Sequence, residues 1–387
     1  MAQPKNFGFS DEEQMVRDSA RKFLKDHAGI ETLRKLVARD HREAYESDVQ
    51  PAPYDERVWQ RIVDLGWPAL AVPESAGGVG MKMIAVASLA EEIGRAALPS
   101  PLTATLIATT VLRAAAEHGS ATSATWLGKI AAGEPATLGG TNADGSWDAG
   151  ATDVRVTATA DGARLTGTAH FVQDARKVRT LVVAAAGDAG VGLYALPIDA
   201  PGVSILPDRI VDLTRDQARV ELRDVVVPAD GIITPDGGTA AIAAALPAIL
   251  TIVAADLTGA AEWQMQTTAE YARVRTQFDR PIGFFQAVKH PIVEMMIAVD
   301  RARSLTYAAA CAIDTDPDDA LRLARMAKAA GSDAAAFCSD RSVQLHGGIG
   351  FTWECDVHIY FKRQKHNEIL YGDGPFQRAR VAELLGE

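Results

Sequence analysis

The feature of this 387-residue sequence that most constrains its fold is a change of hydrophobic period that occurs twice along the chain. From about residue 135 to 235, short alternating runs rich in Val, Thr and Leu are separated by turn pairs such as Asp161-Gly162, a pattern typical of strands and hairpins. On both sides, apolar residues recur at the spacing of a helix face. This order predicts an α+β protein with three parts: an N-terminal helical domain (1–130), a central β domain (131–237) and a C-terminal helical domain (238–387).

Local signals support the two helical domains. Ser10 and Glu13 have the spacing of a capping box, in which each side chain bonds the backbone N–H of the other residue at a helix start. The last third of the sequence holds three long stretches of helical periodicity, residues 240–278, 289–313 and 318–347. Their apolar composition is consistent with a large buried oligomer interface.

Charge and composition exclude several classes of function. The net charge of -11 argues against a nucleic-acid surface. We find neither a secretion signal at the N-terminus nor a continuous apolar stretch of membrane-spanning length, so we expect a cytoplasmic protein that does not contact a membrane. The three cysteines, Cys311, Cys338 and Cys355, lack CxxC spacing, which predicts reduced thiols and no metal site.

The first segment whose residues could bind a cofactor is RTQFDRPIGFFQAVKH, residues 275–290. Arg275 can pair with a pyrophosphate, Gln277 and Gln286 can form hydrogen bonds, and Phe278 offers a flat face to a ring. The segment therefore suits an elongated anionic cofactor. A turn that ends a helix and carries a surface Arg explains the same residues, and the segment alone does not decide between the two.

The second segment runs from Gln344 to residue 374 and contains the pair Gly347-Gly348 in a mostly helical region. Glycine destabilises a helix, so the pair indicates a close approach of the backbone to a ligand or to another helix. His346 and His358 have no acidic neighbour that would complete a catalytic triad, and we interpret them as core or interface residues.

Together these two segments resemble the acyl-CoA dehydrogenase family, whose C-terminal domain carries an R-x-Q-F-G-x-P-I-x-x-F-Q stretch followed by Q-x-x-G-G-x-G. They stand here at residues 275–286 and 344–350. DLGWPALAVPESAGGVG and DLTRDQARVELRDVVVPAD are similar to other parts of the family, so the resemblance covers nearly the whole chain. It implies an N-terminal α domain, a central β-barrel-like domain and a C-terminal four-helix bundle, assembled as a dimer or tetramer.

The resemblance also implies that FAD lies across a subunit boundary. Residues of the last third would contact the FAD of a neighbouring subunit: Arg275, Gln277, Phe278, Gln286, Gln344, Gly347 and Gly348. In the β domain, TNADGSWD (141–148) and HFVQDA (170–175) depart from the family's usual stretches, but Phe171 can stack on the flavin and Gln173 can bond its edge.

The reaction implied is dehydrogenation of an acyl-CoA thioester to a trans-2-enoyl-CoA. A base removes a proton beside the thioester carbonyl, and hydride passes from the next carbon to the flavin. An electron-transfer flavoprotein or a similar acceptor would then reoxidise the cofactor.

The catalytic base is the main departure from the family. Where many members have Glu in a Y-E-G-T stretch, this chain has Gly372. An alternative family position falls near Ile249, which is not a carboxylate. Asp373 is our first candidate for the base, although a turn-stabilising role is the more usual one for an Asp between two glycines. Asp256 is a second candidate for the base, with helix packing or capping as its other explanation.

Three hypotheses follow. The chain is a self-sufficient dehydrogenase; or it is a subunit that helps to hold FAD while a partner chain supplies the base, as in α2β2 enzymes of bacterial fatty acid or steroid side-chain degradation; or it is a desulfinase of the same fold.

Overall fold

The computed structural model describes residues 9–37, 45–46 and 50–386. The first residues of the N-terminal stretch in which we found no secretion signal lie outside this range. The description below concerns the described residues.

The N-terminal region is helical. Its helices are α1 (Asp11–His27), α2 (Ile30–Val37), α3 (Glu56–Asp64), α4 (Met83–Arg95), α5 (Leu102–Glu117) and α6 (Ser123–Ala131). The predicted capping box is confirmed: Ser10 Oγ accepts from the Glu13 N–H at 3.3 Å, and Glu13 Oε2 accepts from the Ser10 N–H at 2.8 Å.

The central region is a β-sheet domain. Its strands are β1 (Ala136–Gly139), β2 (Asp153–Thr159), β3 (Gly162–Gln173), β4 (Thr180–Gly187), β5 (Gly190–Pro197), β6 (Val203–Pro207), β7 (Gln217–Pro228) and β8 (Ile232–Thr234). They pair in the order β6-β7-β3-β2-β4-β5-β8, with β1 parallel to β4. Alternate side chains form a separate apolar core that includes Leu165, Leu181 and Val220.

The hairpin between β2 and β3 turns one residue earlier than predicted. Gly162 already pairs with Thr159, so Ala160 and Asp161 form the turn. Gly162 has a φ of 157°, and an added Cβ would lie 2.1 Å from the Val227 carbonyl oxygen of β7. Close pairing with β7 therefore explains this glycine.

The C-terminal region is a bundle of α7 (Gly238–Val274), α8 (Gln286–Thr315), α9 (Pro317–His346) and α10 (Val357–Ile369), followed by α11 (Gly374–Gly386). Among the described residues, α7 is the one helix long and apolar enough to cross a membrane, contrary to our expectation that no such stretch exists. However, 72% of its most apolar 18-residue window is buried inside the protein. It is the core helix of this domain.

Two glycines let α4 and α7 cross closely. An added Cβ on Gly94 would lie 2.0 Å from the Asp256 carbonyl oxygen, and one on Gly259 would lie 1.8 Å from the Glu91 carbonyl oxygen. Because neither contact leaves room for a side chain, the N-terminal domain packs directly on the central helix of the bundle. Gly94 thus marks the crossing, one residue before α4 ends at Arg95.

Candidate functional site

Two segments singled out from the sequence meet at one end of the C-terminal bundle. Residues 275–286 follow α7 directly, and residues 344–351 cover the end of α9 and the turn after it. The rings of Tyr271 in α7 and His346 in α9 stack with centroids 4.3 Å apart, which holds the two helix ends side by side. We call these two segments together the bundle end.

A tight hairpin projects an aromatic ring from the bundle end. Strands β9 (Thr276–Gln277) and β10 (Arg280–Pro281) are antiparallel, and Phe278 and Asp279 between them have φ values of 54° and 59°. Such a two-residue turn matches the twist of the strands. The Phe278 ring is 84% exposed. An apolar ring held in solvent by a fixed turn suits contact with another molecule.

The two segments of the bundle end also carry exposed polar side chains. The four predicted to contact the cofactor are Arg275, Gln277, Gln286 and Gln344. Within the described part of the chain, no carboxylate pairs with the Arg275 guanidinium. Its five N–H donors are therefore available to an anion from outside the chain.

The two adjacent glycines leave an open cradle at the bundle end. Gly347 has a φ of 65°, and an added Cβ on either Gly347 or Gly348 meets no atom within 4 Å. Packing within the chain therefore does not require a glycine at position 348. Gly350 differs, because its Cβ would lie 2.8 Å from the Val343 carbonyl oxygen. The space at Gly348 is free for a ligand or a second chain.

The second candidate region lies between the β domain, α5, α7 and the loop after α10. The cavity there measures about 30 Å³, which is roughly the volume that one water occupies in the liquid. We call this region the closed pocket; it is lined by Ala104, Ile107, Thr137, Leu138, Gly140, Thr141, Trp147, Asp148, Phe171, Gln173, Ile242 and Tyr371.

Two aromatic rings fill the closed pocket. The Trp147 and Tyr371 ring centroids lie 4.6 Å apart at an interplanar angle of 37°. Tyr371 has a φ of 57°, in the left-handed region that non-glycine residues rarely adopt. Burial raises the pKa of its hydroxyl, so the side chain stays neutral. The unusual backbone thus places a neutral ring against Trp147 in the wall of the pocket.

The amide of Gln173 is occupied by protein groups. Its Nε2 donates to Gln217 Oε1 and to the Phe171 carbonyl, each at 3.0 Å, and its Oε1 lies 2.9 Å from His366 Nε2. Burial lowers the pKa of His366 to about 4, which keeps the imidazole neutral with its Nε2–H donating to the amide. Phe171 lines the same pocket, with a φ of 54°. Contact of these two residues with a flavin stays a prediction.

The position of the missing base is crowded. Gly372 has a φ of 90°, and an added Cβ would lie 2.1 Å from Cδ1 of Phe376. From the other side, Lys328 Nζ donates to the Gly372 carbonyl at 2.8 Å, to the Glu368 carbonyl at 2.9 Å and to Ser332 Oγ at 2.8 Å. Lys328 therefore holds the loop in this shape, and a side chain at position 372 would be strained at this φ and would require the Phe376 ring to move.

The neighbouring carboxylate caps a helix. Asp373 Oδ1 accepts from the Phe376 N–H at 2.9 Å, and Asp373 O accepts from the Gln377 N–H at 3.0 Å at the start of α11. This arrangement is that of an N-cap residue, which satisfies an otherwise unpaired helix donor. Of the two roles considered for Asp373, the structure shows the turn-stabilising one.

Asp256 is a structural ion-pair partner. Its Oδ2 accepts from Arg215 at 2.6 Å and from Arg363 at 2.7 Å, and its Oδ1 accepts from Asn367 at 2.8 Å. The side chain is 1% exposed. With both oxygens occupied by cations and an amide, Asp256 joins the β domain to the bundle and is not free to remove a proton.

Sequence reasoning missed Trp147, which lines the closed pocket, and Lys328, which holds the loop at Gly372. Trp147 belongs to the TNADGSWD stretch, where an aromatic ring within a polar turn was the available signal. Lys328 is a single cation in an alanine-rich part of α9, fully buried, and burial lowers its pKa to about 7. An isolated lysine among small residues could have indicated a buried polar role. Across the described residues, no group of three His, Cys, Asp or Glu side chains could hold a metal ion.

Comparison with known proteins gives matches to both helical domains. Residues 10–134 match the family described as "Acyl-CoA dehydrogenase, N-terminal domain", and residues 236–386 match "Acyl-CoA dehydrogenase, C-terminal domain". The chain is also 31% identical over 354 residues to acyl-CoA dehydrogenase IpdE2 of Mycobacterium tuberculosis, with 91% of each chain covered.

Two solved structures share the fold along nearly the full length. A Tcur3481-Tcur3483 steroid ACAD variant superposes with a TM-score of 0.83 at 30% identity, covering 97% of this chain and 98% of that one. The ChsE4-ChsE5 complex of Mycobacterium tuberculosis gives 0.84 at 25% identity, covering 98% and 99%. With both helical domains matched and the β-sheet domain between them, the chain belongs to the acyl-CoA dehydrogenase family of flavoprotein oxidoreductases.

Proposed function

We propose that this chain is the subunit without a catalytic base in a heteromeric acyl-CoA dehydrogenase, and that its bundle end completes the FAD site of a partner chain. The observation that carries the proposal is the position of the family's glutamate. Gly372 stands there, and the Phe376 ring takes the space of its side chain.

Other carboxylates near the closed pocket do not replace the missing base. Asp373 is used as a helix cap. Asp148 lines the pocket, but its side chain is 70% exposed and lies 3.4 Å from Arg380 on the outer surface. At the alternative family position, Ile249 is apolar and fully buried. Proton abstraction beside a thioester needs a base within hydrogen-bond reach, so we assign that step to the partner chain.

The residues of the bundle end fit FAD. The unpaired guanidinium of Arg275 suits a pyrophosphate, and the exposed amides of Gln277, Gln286 and Gln344 suit the polar groups of the cofactor. Phe278 offers a ring face, and Gly347-Gly348 leaves room for close approach. FAD, when bound, would accept the hydride from the substrate. This chain would hold and orient the cofactor through those groups.

The closed pocket has little free space in this chain. Its cavity measures about 30 Å³, and the Gln173 amide is bonded to Gln217 and His366. We therefore propose that Phe171 and Gln173 stabilise the β domain, and we derive no chemical step in this pocket.

The names of the structural neighbours support a heteromer. One of these neighbours is the ChsE4-ChsE5 complex, and the other is the Tcur3481-Tcur3483 steroid ACAD, so each is named by two different chains. We propose by analogy that the substrate of the assembled enzyme is an acyl-CoA thioester of a bulky acid. An electron-transfer flavoprotein or similar acceptor would reoxidise the cofactor.

The proposal is tested by purifying the chain alone and with a base-containing acyl-CoA dehydrogenase chain co-expressed from the same gene neighbourhood. We expect the chain alone to be colourless and inactive with an acyl-CoA and ferrocenium, and the pair to be yellow and active. A yellow, active chain that loses turnover in the Asp373→Asn variant would instead establish the self-sufficient enzyme.

A further inference from the structure

A larger cavity lies away from both regions described above. It measures about 310 Å³ and is formed where α1, α4, α7 and α10 meet. This volume is at the lower end of the range of about 300 to 1,000 Å³ that small-molecule sites occupy. Leu24 of α1, Ala28 directly after α1 and Ala96 directly after α4 provide an apolar lining.

One wall of the cavity is a rigid aromatic plane. The rings of Trp263 and Tyr360 are stacked with centroids 3.8 Å apart and an interplanar angle of 6°. Tyr360 is 1% exposed, and its hydroxyl donates to the Arg95 carbonyl at 2.6 Å. Trp263 is only half-buried. A fixed tyrosine therefore holds an accessible indole in place, which suits stacking with a planar ligand.

The rim of the cavity carries an available positive charge. The buried Glu92 is shared by Arg21, whose Nη2 lies 2.7 Å from it, and by Arg95, whose Nε lies 3.1 Å from it. Arg95 also pairs with Glu91 and Glu262, and both of these pair with Arg303, so three arginines balance three glutamates. Lys25, one turn after Arg21, lines the cavity and has no ion pair or side-chain hydrogen bond with any described residue. Lys25 is therefore the positive charge at this rim that no carboxylate of the described residues balances, and it favours an anion.

We propose that this cavity binds a planar molecule of about two fused rings that carries one carboxylate or sulfonate, with the rings on Trp263 and the anion at Lys25. The inference is independent of whether the chain is catalytic, because it uses neither the bundle end nor the closed pocket. Gln266 at the rim adds a carbonyl that can accept a hydrogen bond, since its Nε2 already donates to Glu262.

The test is isothermal titration calorimetry of 2-naphthoate into the full chain, with 2-naphthol as the neutral analogue of the same shape. We expect one saturable site for 2-naphthoate and at least about fivefold weaker binding of 2-naphthol. Lys25→Glu, a change at an exposed residue, should weaken 2-naphthoate about fivefold or more. Trp263→Leu should weaken it about tenfold.

Trp147→Leu, in the closed pocket, is the matched tryptophan control and should leave the affinity unchanged. Equal thermal melting of the wild type and Lys25→Glu shows that a loss of binding is not a loss of folding. The proposal is overturned if 2-naphthoate shows no saturable binding, or if 2-naphthol binds with equal affinity. It is also overturned if Trp147→Leu loses binding of 2-naphthoate while Trp263→Leu keeps it.

Discussion

The closed pocket and the bundle end differ in what satisfies their side chains. In the closed pocket, Trp147 packs on Tyr371 and the Gln173 amide bonds protein groups. At the bundle end, Arg275 has no carboxylate partner among the described residues, and an added Cβ on Gly348 meets nothing. The side chains of the closed pocket are satisfied within the chain, whereas those of the bundle end are open to another molecule. Under the function that we propose, this difference means that a chain can close its own pocket and keep the surface that contacts a partner's cofactor.

The largest effect is expected from restoring the family's carboxylate. Gly372→Glu places a side chain at a φ of 90° against the Phe376 ring, so the free energy of unfolding should fall by about 2 to 4 kcal/mol. Urea denaturation measures this. Turnover of the isolated chain should not appear, even when Phe376→Ala is added to relieve the overlap.

Gly348→Glu is the matched control, because an added Cβ there meets no atom within 4 Å and φ is not in the left-handed region. Its stability should stay within about 0.5 kcal/mol of the wild type. If Gly372→Glu left the free energy of unfolding equally unchanged and gave an active chain, the pocket would lack only its base and would not be closed.

A smaller effect is expected at the bundle end from Arg275→Met. Loss of a charge-assisted bond to a pyrophosphate should weaken FAD retention by the heteromer about tenfold to hundredfold, measured by equilibrium dialysis. Arg273→Met is the control, since Arg273 is an exposed neighbour already paired with Glu270 at 3.3 Å. Equal effects of the two variants would remove the special role of Arg275.

Gly348→Val tests whether the open space at Gly348, at the bundle end, receives the cofactor. The isolated chain should melt as the wild type does, because nothing within 4 Å meets the new side chain. The heteromer should retain FAD about tenfold less well if the cradle receives the cofactor. Unchanged FAD retention with an intact heteromer would show that the cradle is empty space.

The stability of the loop at Gly372, which Lys328 holds, should also depend on pH. Burial lowers the pKa of Lys328 from its ordinary 10.5 to about 7, so between these values the unfolded chain binds more protons than the folded one. The free energy of unfolding should therefore rise with pH across this window by up to about 1.4 kcal/mol per unit. Denaturation at several pH values, with Lys328→Met as reference, measures it; a difference that falls with pH would contradict the assignment.

The smallest effect concerns the helix cap. Asp373→Ala should lower the free energy of unfolding by about 1 kcal/mol, whereas Asp373→Asn should be nearly neutral because asparagine also caps helices. Neither change should alter turnover of the heteromer. Loss of turnover in Asp373→Asn, with stability unchanged, would show that the carboxylate acts as a base.

Much of the fold could be predicted because period and capping are local properties. The strand and helix regions follow the change in hydrophobic pattern, and Ser10 with Glu13 forms the expected box. The exposed Gly348 at the bundle end was also visible as a glycine that a helix does not favour.

The closure of the pocket could not be predicted, because it depends on contacts between distant residues. Tyr371 meets Trp147 only through a positive φ that a non-glycine residue rarely adopts. Similarly, Asp256 interrupts an apolar helix, and only the fold brings Arg215 and Arg363 to it. Asp256 was considered as a candidate base because Arg215 and Arg363 are distant from it in the sequence.

The account is tested most directly by counting FAD in the purified heteromer against the number of chains. A closed pocket in this chain and a complete site in its partner predict one FAD for each pair of chains and none in this chain alone. One FAD for every chain, or flavin and turnover in this chain by itself, would contradict the central claim.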